Sequence, residues 1–156
     1  MAETIGDQGN NYVNLPTNAA GGAATNIIYE GYVYKWNGAG LTIITGKTDT
    51  AFAIAAKSTR DPQLNTAMAL ALLDNWAFFL LGSGELVNVA SIASQTWKNG
   101  AKVYIDDSID GMVTTDLDTN AKCIGHYKGK ESLVTSATDG DLIQVILDQP
   151  STSATA

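Results

Sequence analysis

The sequence predicts a mainly β protein: a small β-barrel or β-tulip-like domain with an extended N-terminal arm and at most one short helix. Three observations predict it. Apolar residues alternate with wetter ones over short runs, as Ala101, Val103 and Ile105 do with Lys102, Tyr104 and Asp106, which is the period of two of a half-buried strand. Such runs recur about every 8–12 residues between Gly- and Asn-bearing turns, the spacing of a small barrel or sandwich. Fifteen glycines stand against three prolines, and Val, Ile, Thr and Tyr are spread throughout, which suits strands joined by tight turns.

Length and charge bound the rest. A chain of 156 residues fits one domain, and folding at that size hides roughly 68–70% of the unfolded surface. We divide it into an arm over residues 1–25, a β-rich body over 26–150 and a flexible tail over 151–156. The single cysteine, Cys123, leaves no internal disulfide framework. A net charge of -7 argues against a nucleic-acid partner, which needs clustered Lys and Arg. The opening MAETIGDQGNN lacks a basic start and an apolar core, so no signal peptide is expected. The apolar-rich run from Ala67 to Leu81 is broken by Asp74 and Asn75 and is too short to span a bilayer. No membrane partner is expected. Charged residues make up only 16% of the chain, and small residues are common. That pattern hints that a partner covers part of the surface.

Taken in order, residues 1–25 show no steady period; Tyr12, Val13 and Leu15 are their apolar anchors. Fully extended, such a segment reaches on the order of 80 Å, enough to add a strand to a neighbour's sheet edge. Tyr32, Tyr34 and Trp36 alternate with Val33 and Lys35, a strand. The turn NGAG at 37–40 returns the chain through LTIIT at 41–45, a hairpin. AFAIAA at 51–56 is a third strand. Residues 61–73 read equally as a short helix opened by Asp61 and Pro62 or as a strand alternating Met68, Leu70 and Leu72. NWAFFLL at 75–81 is a strand buried on both faces, and GSG at 82–84 turns it into ELVNVA as a second hairpin. The stretch TWKNGAKVYIDDSIDGMVTT at 96–115 is a hairpin with an acidic tip. NAKCIGHY at 120–127 is a short strand kinked at Gly125, residues 128–140 form a polar loop or a small excursion, and LIQVILD at 142–148 is a closing strand.

The clusters of polar and titratable residues point to little chemistry. His126 is the only histidine, and strand geometry puts Cys123 on the opposite face unless the kink at Gly125 intervenes. One His and one Cys do not make a zinc site. Asp106, Ser108, Asp110 and Gly111 match the first half of a calcium loop, but its closing Glu is Leu117, so an ordinary acidic turn is expected. The glycine pairs at 38–40 and 82–84 form no phosphate loop. Tyr32, Tyr34, Trp36, Trp76 and Trp97 could line a sugar-binding face, although such residues more often pack inside. No catalytic residue, cofactor or metal is expected, and the chain does not read as an enzyme.

The string WKNGAKVYIDDSIDGMVTT, followed by NAKCIGHY and DGDLIQVILD, resembles the small head-decoration, capsid-stabilising proteins of tailed bacterial and archaeal viruses. The matching residues are Gly100, Val103, Tyr104, Asp106, Gly111, Val113 and Thr114, then Ile124 and Gly125, then Asp141, Val145 and Leu147. The likeness covers about the last third of the chain. It implies a structural virion protein, made in the host cytoplasm, that binds the outside of an expanded icosahedral shell. The partners so implied are the major capsid protein and further copies of the chain, as homotrimers at local threefold positions. Tyr12, Val13 and Leu15 are then the expected capsid contacts, with Trp97 and Tyr104 as contributors to an interface on the barrel. The alternative is a carbohydrate-binding or adhesive β-module on a virion or cell surface.

Overall fold

A computed structural model describes residues 12–16, 28–38, 40–56, 60–61, 66–67, 75–118 and 121–148. Among them every regular element is a strand. In chain order these are β1 (Val13–Pro16), β2 (Val33–Trp36), β3 (Leu41–Ile43), β4 (Ala53–Ala55), β5 (Arg60–Asp61), β6 (Thr66–Ala67) and β7 (Asn75–Leu80). Then follow β8 (Leu86–Ser91), β9 (Thr96–Lys98), β10 (Lys102–Ile105), β11 (Val113–Thr114), β12 (Cys123–Tyr127), β13 (Ser132–Val134) and β14 (Asp141–Leu147). The mainly β, barrel-bearing class expected from the sequence is the class observed.

Two sheets carry the body. The first is antiparallel, in the order β1-β7-β4-β2-β3. The second is a closed five-stranded barrel, β10-β11-β8-β14-β12, in which only β11 and β8 run parallel. Closure removes the edges that an open sheet of this size would leave. The alternation read from the sequence is visible in β14: Ile143, Val145 and Leu147 are buried, while Leu142 and Gln144 face out. Val87 and Val89 of β8, Val103 and Ile105 of β10 and Ile124 of β12 join them in one cluster. Val33, Ile54 and Phe79 of the first sheet, with Ile44 just past β3, belong to the same cluster. The sheet's opposite face holds a second cluster of Ile28, Tyr34, Leu41, Ala53, Ala55 and Phe78. A two-stranded ladder, β13 with β9, lays Trp97 and Leu133 against the first cluster. Trp97 lies 6.0 Å from Tyr127, ring to ring, and its Nε1 donates to Ser91 Oγ at 3.0 Å, so the indole is buried with its polar atom satisfied.

Both local hairpins form as read. β2 and β3 pair through the turn at 37–40, and β10 pairs with β11 across the acidic tip. Two expectations change and two open readings are sharpened. The GSG segment does not close a hairpin: β7 stays in the first sheet and β8 enters the barrel. Gly82 N bonds Asp148 O at 3.0 Å and Gly84 N bonds Leu147 O at 3.1 Å, which draws the chain across to β14. The polar stretch 128–140 is not all loop, because it contains β13. Of the stretch 61–73, read equally as helix or strand, Asp61 and Thr66–Ala67 are strand: Arg60–Asp61 pairs with Thr66–Ala67 as a short ladder, and the rest lies outside the described residues. Tyr104, expected on the wetter face, is buried. The ladder to β12 slips between Val103 and Tyr104, so strict alternation does not carry through β10.

The two sheets meet main chain to main chain at Gly31. Its N–H donates to Ala55 O in β4, and its carbonyl accepts from Ala90 N in β8, both at 2.9 Å. The φ of +84° is one that side-chain-bearing residues rarely adopt, and a Cβ there would lie 2.8 Å from Ala90 N and 2.6 Å from Leu142 Cδ2. Gly31→Ala should therefore destabilise the protein by about 2–4 kcal/mol, through strain and overpacking together. Gly38 has a similar φ of +99° with open space around it, so Gly38→Ala should cost only about 1 kcal/mol. Urea unfolding of the two variants checks the difference.

Candidate functional site

The anchors singled out in the N-terminal arm fall on β1, which is the terminal strand of the first sheet. Hydrogen-bond parity shows which way its main chain points. Ala56 N bonds Ala77 O at 3.0 Å and Leu81 N bonds Phe52 O at 3.1 Å. In an antiparallel ladder N–H and C=O of one residue point the same way and alternate from residue to residue. Residues 77, 79 and 81 thus serve β4, and residues 76, 78 and 80 face β1. With Val13 opposite Phe78 and Leu15 opposite Trp76, Val13 and Leu15 make the bonds to β7. The main-chain groups of Tyr12 and Asn14 point away from the sheet, as does the carbonyl of Pro16. Pro16 fits this strand because the N–H it lacks would face outward. Among the described residues nothing pairs with this edge, which is short: it offers two donors, at Tyr12 and Asn14, and proline ends it.

Side chains divide the same strand between the body and the surface. Tyr12 is 47% exposed and Val13 38%. The Tyr12 ring still rests edge-on against Phe79, with centroids 6.2 Å apart and planes at 87°. Leu15 is half-buried and packs against the second cluster, beside Trp76 and Tyr32. Residues 13–16 are thus built into the chain's own sheet, where the sequence suggested a segment reaching outward; apart from Tyr12, the rest of 1–25 lies outside the described residues. Removing residues 1–25 would uncover β7.

Trp97 and Tyr104, expected at an interface, offer little surface. Trp97 is fully buried and Tyr104 is 5% exposed. Burial, with the Cys123 side chain beside it, pushes the Tyr104 phenol above its ordinary pKa. Burial raises the Tyr34 phenol as well, with Tyr32 adding to the effect. The aromatic set that suggested a sugar platform does not share one face. Tyr32, Tyr34 and Trp76 belong to the second cluster and Trp97 to the first. Trp36 alone of the five is largely exposed, 5.7 Å from the exposed Phe52 ring.

The acidic tip of the β10–β11 hairpin is held by its own carboxylate. Asp106 Oδ2 accepts from Ser108 N at 2.9 Å, Ser108 Oγ at 2.8 Å and Ile109 N at 2.6 Å. Gly111, at φ +76°, closes the tip against Ile43 and Tyr32. Among the described residues no three His, Cys, Asp or Glu side chains converge as a metal set. His126 and Cys123 have separate partners: His126 Nδ1 meets Asp148 Oδ2 at 2.5 Å, and Cys123 Sγ donates to Gly125 O at 3.4 Å. Sequence reasoning missed the His126–Asp148 pair because His126 lies on β12 and Asp148 just past the end of β14, and nothing local joins them. It also missed the β13 edge, since only Leu133 and Val134 mark that strand. No protein-family model, curated protein or solved structure matches this chain.

Asp106→Ala should destabilise the fold by about 2 kcal/mol, because three donors lose a charged acceptor at once. Millimolar calcium should leave the melting temperature of the parent protein unchanged, as differential scanning calorimetry would show.

Proposed function

We propose that the chain is a non-enzymatic structural virion protein that binds the outside of an expanded icosahedral capsid and stabilises it. Its partners on this reading are the major capsid protein and two further copies of itself, in a trimer at local threefold positions. The observation that carries the proposal is the open edge of β1. An extended capsid segment pairs with Tyr12 and Asn14 and continues the first sheet by one strand, a recognition mode in which main-chain bonds supply affinity and alternate side chains supply specificity. Val13, with its partly exposed side chain, and the Tyr12 ring give that segment apolar contacts. The net charge of -7 suits an outer surface and keeps the chain off nucleic acid.

The energetics agree with a clamp. Each net hydrogen bond contributes about 0.5–1.5 kcal/mol, so a single short edge binds weakly. Three edges on one trimer raise the effective concentration and can add a factor of roughly 100–10,000 in avidity. A ligand that binds only the expanded lattice stabilises that lattice by mass action. The resemblance carried by the β10–β11 hairpin supports the same reading.

A glycan-binding module is the second reading, favoured by the exposed Trp36–Phe52 pair; a glycan array in which Trp36→Ala abolishes a signal would support it.

Asn14→Pro removes one outward donor and leaves the bonds of Val13 and Leu15 to β7 in place. The variant should keep its melting temperature within a few degrees and lose most binding to expanded capsids of the source virus, by at least about 100-fold given the three-edge avidity. Co-sedimentation of the variant at parent levels would sink the proposal.

A further inference from the structure

A second open edge lies on the other side of the molecule's strand inventory, at β13. Thr135 N bonds Gln95 O at 2.9 Å, and Asn99 N bonds Glu131 O at 3.3 Å. The register places Leu133 opposite Trp97, between those two pairs. By the same alternation, the residues bonded to β9 are 131, 133 and 135. The N–H and C=O of Ser132 and Val134 point away from β9, and no described residue bonds them. Val134 is 67% exposed. Apart from its shortness, three residues, the strand carries no proline, no bulge and no charge of its own to blunt the edge. It is also anchored, since Leu133 packs on the core cluster beneath it.

The charge around this edge is opposite to that of the whole chain. Lys98 stands across from Ser132, and Lys128 and Lys130 sit in the turn that leads into β13. All three are exposed. Gly129 N donates to Asn99 Oδ1 at 3.0 Å, which ties that turn to the end of β9 and gathers the three lysines at one end of the ladder. None of them has an ion-pair partner among the described residues, and Glu131 is the one acidic residue in the turn. On a chain with sixteen Asp and Glu against nine Lys and Arg, this is a local basic spot beside unpaired backbone.

We propose that β13 is a strand-accepting edge for an acidic extended segment of a partner protein. The segment lies antiparallel to β13 and bonds the main chain of Ser132 and Val134. It sets an apolar side chain against Val134, and its C-terminal carboxylates fall beside Lys128 and Lys130. The site is separate from the β1 edge and stands whether or not that edge meets a capsid.

The test uses the full chain and a synthetic probe: alternating Thr and Val over five residues, then three Glu, capped at both ends. Amide chemical shifts read by nuclear magnetic resonance should move at residues 130–134 on titration. The same peptide with three Lys in place of Glu should bind at least about tenfold more weakly, equivalent to 1.4 kcal/mol. Val134→Pro, which removes an outward N–H and no bond to β9, should abolish the shifts. The double variant Lys128→Glu, Lys130→Glu should weaken binding by about tenfold without touching β13, and so serves if the proline variant does not fold. Asn14→Pro should bind as the parent does. Absence of shifts in the parent, equal affinity for the Lys peptide, or survival of binding in both β13-side variants would each overturn the proposal; loss of binding in Asn14→Pro would overturn it too, by moving the contact to β1.

Discussion

Everything in this fold depends on two sheets approaching closely enough for their backbones to bond. Gly31 spans the gap from β4 to β8. Gly111 does the same from the barrel side, donating to Ile44 O at 3.0 Å and accepting from Val33 N at 2.8 Å. At both places a side chain would collide with the opposite sheet. The contacts satisfy backbone groups that would otherwise be buried without partners, a cost folded proteins rarely accept. They also bring Val33, Ile44 and Phe79 within reach of the barrel's interior, so that one cluster serves both sheets. A five-stranded barrel with such short strands encloses little volume by itself; sharing its core with a second sheet is what gives the body a proper interior.

The parts of this architecture that were legible in the sequence are those whose cause is local. The β2–β3 and β10–β11 hairpins carry their turn residues and their alternation within about 20 residues, and both form. The β7 to β8 connection was misread for the converse reason. Gly82 and Gly84 announce a turn, but whether a turn joins neighbours or crosses between sheets is decided by Leu147 and Asp148, more than 60 residues on. Residue type was also a poor guide to facing. Trp97 and Tyr104 look like interface aromatics in the sequence, yet the first closes the core over Tyr127 and the second is displaced inward by a slip in the ladder.

The two open edges show the same division. Tyr12, Val13 and Leu15 stood out as apolar residues in a polar segment, and they are indeed the residues of a strand at the sheet's margin. Which of their main-chain groups face outward could not be read from them. That is set by the parity of bonds two strands away, between β4 and β7, and it reverses if the register moves by one residue. Pro16 is the only residue whose type hints at the answer. For β13 the local signal is fainter still: two apolar residues among polar ones, given meaning only by their pairing with the strand that carries Trp97.

The order of strands around the barrel has a consequence for how the protein is made. β8 lies between β11 and β14, and both come later in the chain. While synthesis proceeds, β8 has no ladder partner until Val113 can reach Ser91, and Val87 and Val89 wait for Val145 and Ile143 of β14, which comes later still. The first sheet waits too, because its inner face packs on residues not yet made. A nascent chain therefore exposes the apolar strand β8 until β14 covers it, and the interval between the first buried strand and the one that covers it is the interval in which it can aggregate.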